Sequence, residues 1–569
     1  MTTLQLPYDL LGGVLHWLAA VLVVCAVGLF VGMVVSLLTV GPRGPGLVVD
    51  VLQRGLHDML HMSARRIGAI ASLTMKESFR KKAFAVLVVF IILFLMAGFF
   101  LRNPERPDDL PAKPYIAFVL MTIRWLTLPV ALLLACWGLP TDIKDRSLHT
   151  VVTKPVRRSE IMIGRFLGYG AVTTIFLLVM SLIGYVFINR SVPELSQPQL
   201  VSRVPVYGSL TYLDRNGEPG EGVNTGDIWT FRSYIEGLTK AAAIWKFDNL
   251  DVERLKQHDG LRLENRFEAF RTYKGVIGQP IMFRITLVNP TKKLRVTNGD
   301  LVKGVAEFSE ERQRSAALEE DPAAESFGGL RTESTISIPR TITYIDVSGD
   351  RGGDQAKTVD LFDDLIDGNS LTVEVTCQDR DQYLGTAQSD LFIRLPDRGF
   401  ASTYFKSIFT MWLMLMLICL LGTTASCFVK GPVATLLTFS LFMLGEHLRP
   451  QMDHLLKQFN ENDRQVLGGG VLESVYRIVL QMNPSQELPD NPAMTIMQWI
   501  DRRVFDMLGI FRNVIPNFEY FNTAAYTANG FDVSWNTALL PAIATALAYL
   551  LPCVLLGYFS LQLRELEAK

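Results

Sequence analysis

Several kinds of chemistry have no foothold in this chain of 569 residues. Five of its six cysteines (Cys25, Cys136, Cys419, Cys427 and Cys553) lie inside apolar runs, Cys377 stands alone in polar sequence, and no CxxC occurs. A disulfide framework and a cysteine zinc site are thereby excluded. There is no GxxxxGK[ST], so the chain carries no P-loop for nucleotide phosphates, and LGGGV at 467–471 reads as a flexible turn. No HExxH occurs, and His447 and His454 read as polar residues near the end of an apolar run rather than as metal ligands. The carboxylates Asp360, Asp363, Asp364 and Asp367, followed by Gly368, lack the spacing of a calcium loop and suit an ordinary turn. Without a GxSxG elbow or a Cys/His pairing, the chain is expected to be no enzyme, with no catalytic residue, metal or cofactor of its own. Charge is scarce as well. Charged residues make up 20%, and Lys+Arg 55 against Asp+Glu 56 leave a net charge of −1, so no basic field calls for nucleic acid.

What the chain has in excess is apolar sequence: 49% of residues are hydrophobic and the mean hydropathy is +0.24. A bilayer core needs roughly 20 apolar residues in a helix. Runs that approach or reach this length fall at 12–40, 84–101, 116–138, 162–188, 405–428, 433–448 and 537–561, which predicts about seven spans. The first run has no basic segment before it and no small-residue cleavage pattern, so it reads as a retained anchor and not a signal peptide. The sixth is closed early by Glu446, His447 and Arg449, and reads as a short span or a re-entrant hairpin.

Basic residues orient these runs. Arg43, Arg54, Arg65, Arg66, Lys76, Arg80, Lys81 and Lys82 lie between the first two, Lys144, Arg146, Lys154, Arg157 and Arg158 between the third and fourth, and Lys430 between the fifth and sixth. If every run crosses, all three loops share the cytoplasmic side, and the polar stretch 189–404 lies outside. In that stretch QPIMFRITLV (279–288), TISIPRTITYIDV (335–347), NSLTVEVTC (369–377) and SDLFIRL (389–395) are β-branched runs bounded by turn residues, as expected of a sandwich-like β-rich domain. The segment WTFRSYIEGLTKAAAIWKF (229–247) is expected to interrupt it as a helix, and 309–326 to form an exposed helix or linker. Between 449 and 536, ESVYRIVLQM (473–482) and AMTIMQWIDRRVFDMLGIFRNVI (493–515) have the spacing of amphipathic helices at the outer membrane surface. Arg124 stands within the third run, and an ionisable residue at that depth is a candidate for a pathway or gating role unless it snorkels or caps a neighbour.

The segment PTDIKDRSLHTVVTKPVRRSEIMIGRFLGYG (140–170) leaves one apolar run and re-enters the next through Gly164 and Gly168. It resembles the cytoplasmic loop of ABC-2 type permeases, the membrane subunits of a class of ABC transporters. Asp145 stands where that family has Glu, with Ser147 and Leu148 in the following turn. Lys154, Pro155, Val156, Arg157 and Arg158 match its Pro-centred turn, and Gly164, Arg165, Leu167 and Gly168 its glycine-bearing re-entry. SARRIGAIASLTMKESFRKKAF (63–84) is similar to the family's interfacial elbow helix, GTTASCFVKGPVATLLTFSLFMLG (422–445) to its tight turn between spans, and GYFSLQLRELE to its usual ending. The likeness covers about half of the chain, 63–188 and 405–569, and the span at 12–40 and the large outer insertion depart from the compact family pattern.

The resemblance implies a permease subunit, organised as 1–62 (extra anchor and linker), 63–188 (elbow helix, three spans and coupling loop 139–161), 189–404 (extracytoplasmic β-rich domain), 405–448 (span hairpin), 449–536 (outer helical segment) and 537–569 (last span and tail). It further implies a bacterial plasma-membrane location, a second permease subunit as homo- or heterodimer, and a separate P-loop ATPase that supplies ATP and Mg. Asp142, Asp145, Arg146, Lys154, Pro155, Arg157, Arg158 and Glu160 are the candidates for coupling to that ATPase. From the residues alone, the same basic side chains serve equally well as membrane anchors. The rival expectation is a membrane receptor or scaffold, or a force-transmitting ABC complex, whose outer domain binds a ligand or partner without moving cargo.

Overall fold

The computed structural model describes residues 9–80, 88–93, 96, 112–144, 156–223, 232–256, 260–271, 281–297, 302–305, 334–345, 356–380, 382–460, 469–483, 486, 488 and 491–567. They form two compact units: a β-rich unit of Val201–Gly399 with Gly530–Asp532, and a helical unit that takes in most of the remainder.

In the helical unit, α1 (Leu10–Val40) starts where the Asp9 carboxylate accepts from the Gly12 amide, 3.0 Å away, and no residue along it is buried. Two amphipathic helices follow, α2 (Gly44–Leu60), with a proline in its first turn, and α3 (Ala64–Arg80). The long apolar helices α4 (Ala112–Lys144), α5 (Arg158–Ser191) and α6 (Phe400–Phe428) pack on one another around a core that includes Val119, Leu120, Ile123, Met180, Tyr404 and Leu415. Of the run at 84–101, only 88–93 and 96 are described, as helix.

After a tight turn at Lys430, α7 (Gly431–Met443) passes through a π-turn (Leu444–Leu448) into α8 (Arg449–Asn460). The sixth run therefore does not stop at Glu446: the helix widens by one residue per turn and continues into amphipathic sequence. Then come α9 (Val471–Val479), α10 (Pro492–Val514), the short α11 (Ala524–Ala528) and α12 (Leu540–Glu567), the last led in by a second π-turn, Trp535–Leu539. Among the described residues five helices are long and apolar enough to cross a membrane: α1, Ala112–Thr141 of α4, α5, α6 and Trp535–Gln562. These five make the chain a membrane-associated protein. Beyond α10, Ile515, Phe518 and Phe521 are buried, and Phe518 packs edge-on against Phe442 of α7, 5.1 Å between ring centres.

The β-rich unit is antiparallel wherever its strands pair. Its largest sheet runs Val302–Val305, Ile281–Asn289, Leu371–Cys377, Ala242–Phe247, Ser209–Leu213, Pro219–Gly220, and a four-stranded sheet runs Val201–Tyr207, Leu391–Gly399, Leu261–Asn265, Ser334–Ile338. Both contribute to one core, where Val373 and Trp245 meet Leu263 and Ile393. Leu371, Val373, Val375 and Cys377 point inward and Thr372, Glu374 and Thr376 outward, the alternation of a half-buried strand.

The helix expected over 229–247 is absent from the part described. Ser233–Glu236 and Ala242–Phe247 are strands, joined through Leu238 at φ 52°. Ala243, Trp245 and Phe247 are buried at every second position, and the core they reach outweighs the helix preference of the alanines. The stretch 309–326 lies outside the described residues.

Candidate functional site

Three of the eight coupling candidates, Arg157, Arg158 and Glu160, lie at the first turn of α5. Arg157 is its N-cap in extended conformation, and Glu160, three residues on, is fully buried. Glu160 Oε2 accepts from the Arg157 amide at 3.1 Å and from Arg66 Nε at 2.8 Å, while Oε1 accepts from the Ser63 amide at 2.8 Å and from Arg66 Nη2 at 2.7 Å. Ser63 is itself the residue before α3, its carbonyl accepting from the Ile67 amide at 3.0 Å. One carboxylate therefore satisfies an orphan amide at each of two helix N-termini and sits at the positive end of both dipoles. The Arg66 fork adds a charge-assisted bidentate bond, and that bond with Glu160 raises the pKa of the guanidinium further.

Close packing extends the junction. A Cβ on Gly164 would lie 2.7 Å from Ile70 Cβ, and one on Gly168 2.5 Å from Thr74 Cβ, so only glycine lets α3 lie against α5 at this distance. Further along, Arg165 of α5 pairs with Glu77 of α3 at 3.0 Å.

Two more helices join through Arg157 and Asp58. Arg157 Nη1 donates to the His57 carbonyl at 3.0 Å, its Nε lies 3.7 Å from Asp58 Oδ1, and the Tyr558 hydroxyl of α12 donates to Asp58 Oδ2 at 2.9 Å. Arg158 lies against the same hydroxyl. The end of α2, the starts of α3 and α5 and the end of α12 thus share one polar junction.

Of the expected coupling residues, Arg157, Arg158 and Glu160 are brought together here. Asp142 is in the last turn of α4, its side chain outside the described residues, as are Asp145, Arg146, Lys154 and Pro155 altogether. Arg66, Asp58 and Tyr558 were not among the candidates. A basic residue in a positive loop and a tyrosine in an apolar run carry no local sign of a carboxylate 94 or 500 positions away.

Arg124, the intramembrane candidate, is paired with Glu446 of the π-turn, both side chains being about nine-tenths buried. In the β-rich unit the acidic turn has its own partners. Asp360 caps Leu361–Leu365 and pairs with Arg340, Asp363 pairs with Lys256, Asp364 with Lys292, and Thr291 donates to Asp367. The hydrogen bond from Lys292 holds the Asp364 carboxyl below the usual aspartate range. Among the described residues no group of three or more His, Cys, Asp or Glu side chains is placed to hold a metal ion.

No known family model matches the chain, and no curated protein or solved structure is significantly similar to it.

Proposed function

We propose that this chain is the membrane-spanning permease subunit of an ATP-driven ABC-2 type transporter, working as an exporter with a separate P-loop ATPase and a second permease subunit. The observation that carries the reading is the Glu160 junction. It ties the amphipathic helix α3 to the beginning of α5, directly after the charged loop 145–155, and through Arg157 and Asp58 it takes in α2 and α12. A soluble partner that pushes on this loop would move four helices as one body. Coupling between distant sites needs such a rigid element with two arrangements open to it. In this reading the loop is cytoplasmic, ATP and Mg bind to the partner, and the β-rich unit lies outside the bacterial plasma membrane, where it meets cargo or a further partner.

The test is a pull-down of the full chain in gentle detergent with mass spectrometry of what accompanies it, repeated with the loop charges reversed as Arg146→Glu with Lys154→Glu. A stoichiometric P-loop ATPase with the native chain, lost with the reversed loop while membrane insertion is unchanged, is the expected result. Its absence from the intact native chain would overturn the transporter reading, and its retention by the reversed loop would overturn docking at these residues. Arg157 is unsuitable for this test, because its bonds to α2 would be broken at the same time.

A further inference from the structure

The pair α9 and α10 is inside out for a water-exposed hairpin. Asp501, Glu473 and Arg477 are each under a tenth exposed, whereas Ile478, Met507, Ile510 and Val514 are 75, 70, 67 and 65% exposed. The buried charges are fully engaged. Asp501 accepts from the Leu472 and Glu473 amides at 2.8 and 2.9 Å and so caps α9, Arg477 pairs with Glu473 at 2.8 Å, and its other nitrogen donates to the carbonyls of Asn483 and Gln486. In water the hydrophobic effect drives the opposite sorting, and apolar patches of this kind mark a protein or membrane contact.

The fold fixes the depth at which this surface sits. The Tyr549 hydroxyl donates to the Val514 carbonyl at 3.0 Å, and Tyr549 is nine residues into α12, about 14 Å along its axis. The C-terminal end of α10 is therefore level with the interior of a membrane-length helix whose own Leu547, Leu550 and Leu551 are exposed beside that tyrosine. The outward residues of α10 change along the helix to match. Arg502, Arg503 and Asp506 are exposed in its middle, with Arg503 stacked 5.5 Å over the Trp499 ring, whereas beyond them the exposed residues are Met507, Ile510, Phe511 and Val514 with Asn513 among them, and Arg512 is paired with Asp453. Arginine with tryptophan suits the headgroup level, and the apolar end suits hydrocarbon. Between α8, α9 and α10 a cavity of about 460 Å³ is lined, among the described residues, by apolar side chains that include Leu455, Val471, Val504, Met507, Leu508 and Phe511.

We infer that α9 and α10 form a wedge inserted obliquely into the bilayer, with the Val514 end deepest, and that lipid acyl chains cover its apolar face and fill the cavity. The inference rests on the membrane-length helices and not on the transporter reading. The test places one spin label at a time on the full chain in phospholipid nanodiscs, at Ile496→Cys, Met507→Cys, Ile510→Cys and Val514→Cys, with Arg502→Cys for reference and Cys25→Ser as background. The ratio of collisions with oxygen to collisions with a water-soluble nickel chelate should rise stepwise from 496 to 514 and favour nickel at 502. A ratio that favours nickel throughout would put the wedge in water. Low collision with both reagents at 507 and 510 would mean that protein, such as a second copy of this chain, covers the face. Either result overturns the inference.

Discussion

At Glu160 two helix N-termini face one carboxylate. It accepts four hydrogen bonds, two of them from backbone amides, and it is wholly excluded from solvent. Removing one partner of a fully buried ion pair costs about 3–5 kcal/mol. The Arg66 side chain is 38% exposed, so screening brings the expected cost of Arg66→Ala well below that of breaking a fully buried pair. Glu160→Ala removes the capping of both helices as well and is expected to cost more. Because the two side chains share one interaction, the double variant should be less destabilised than the sum of the singles by about 1 kcal/mol or more. Thermal unfolding of the full chain in nanodiscs reads all three, and strict additivity would mean that the clamp does not hold the junction together. Arg157, Arg158 and Glu160 were legible as charges of a loop expected over 139–161, whereas the helix already begins at Arg158. That Glu160 turns inward was not legible, because its partner Arg66 comes from a helix 94 positions earlier and looks like one basic residue among eight in that loop.

Elements were legible where a single periodicity governed them and illegible where tertiary partners decided. The apolar runs became α1, α4, α5, α6 and α12 because a long uniform run leaves only one way to satisfy its backbone. Leu371–Cys377 was equally plain from its alternation. Ala242–Phe247 misled because AAAIWKF contains the residues of a good helix. Its strand is set by pairing with Ser209–Leu213 and Leu371–Cys377 on either side, which no local pattern announces. The π-turn at Leu444–Leu448 is the least legible of all, since the partner of its Glu446 is Arg124, 322 positions away. One extra residue in a turn re-aims the side chains that follow it, and such bulges cluster at functional positions. Glu446→Leu alone should strand the Arg124 charge in the bundle at about 3–5 kcal/mol, whereas Arg124→Met with Glu446→Leu should recover most of it. A double variant as unstable as the single would mean that the π-turn needs the charge pair for its geometry.

At the scale of the whole molecule, the decisive quantity is the number of times the helical unit crosses the bilayer. The basic loops around 43–82, 144–158 and 430 fall on one side when the second to fifth apolar runs all span, and the open step is the sixth, whose helix passes from Gly431–Met443 through the π-turn into amphipathic Arg449–Asn460. A crossing there places α9 and α10 on the side opposite Lys430. A helix that turns back instead leaves them on the same side and reverses the position of the tail beyond α12. Labelling by a membrane-impermeant maleimide separates the two. Cys25 is the one exposed thiol and the other five are buried, so Cys25→Ser gives a quiet background. Asn216→Cys, on an exposed turn of the β-rich unit, and Arg502→Cys, on the charged stretch of α10, are expected to react in intact cells, and Lys154→Cys only after permeabilisation. If Arg502→Cys also required permeabilisation while Asn216→Cys did not, the helix through Glu446 would be re-entrant. The Arg124–Glu446 pair would then hold a hairpin inside the membrane rather than a crossing helix. If Asn216→Cys and Lys154→Cys exchanged behaviour, the loop after α4 would face away from the cytoplasm, and no cytoplasmic ATPase could reach the Glu160 junction.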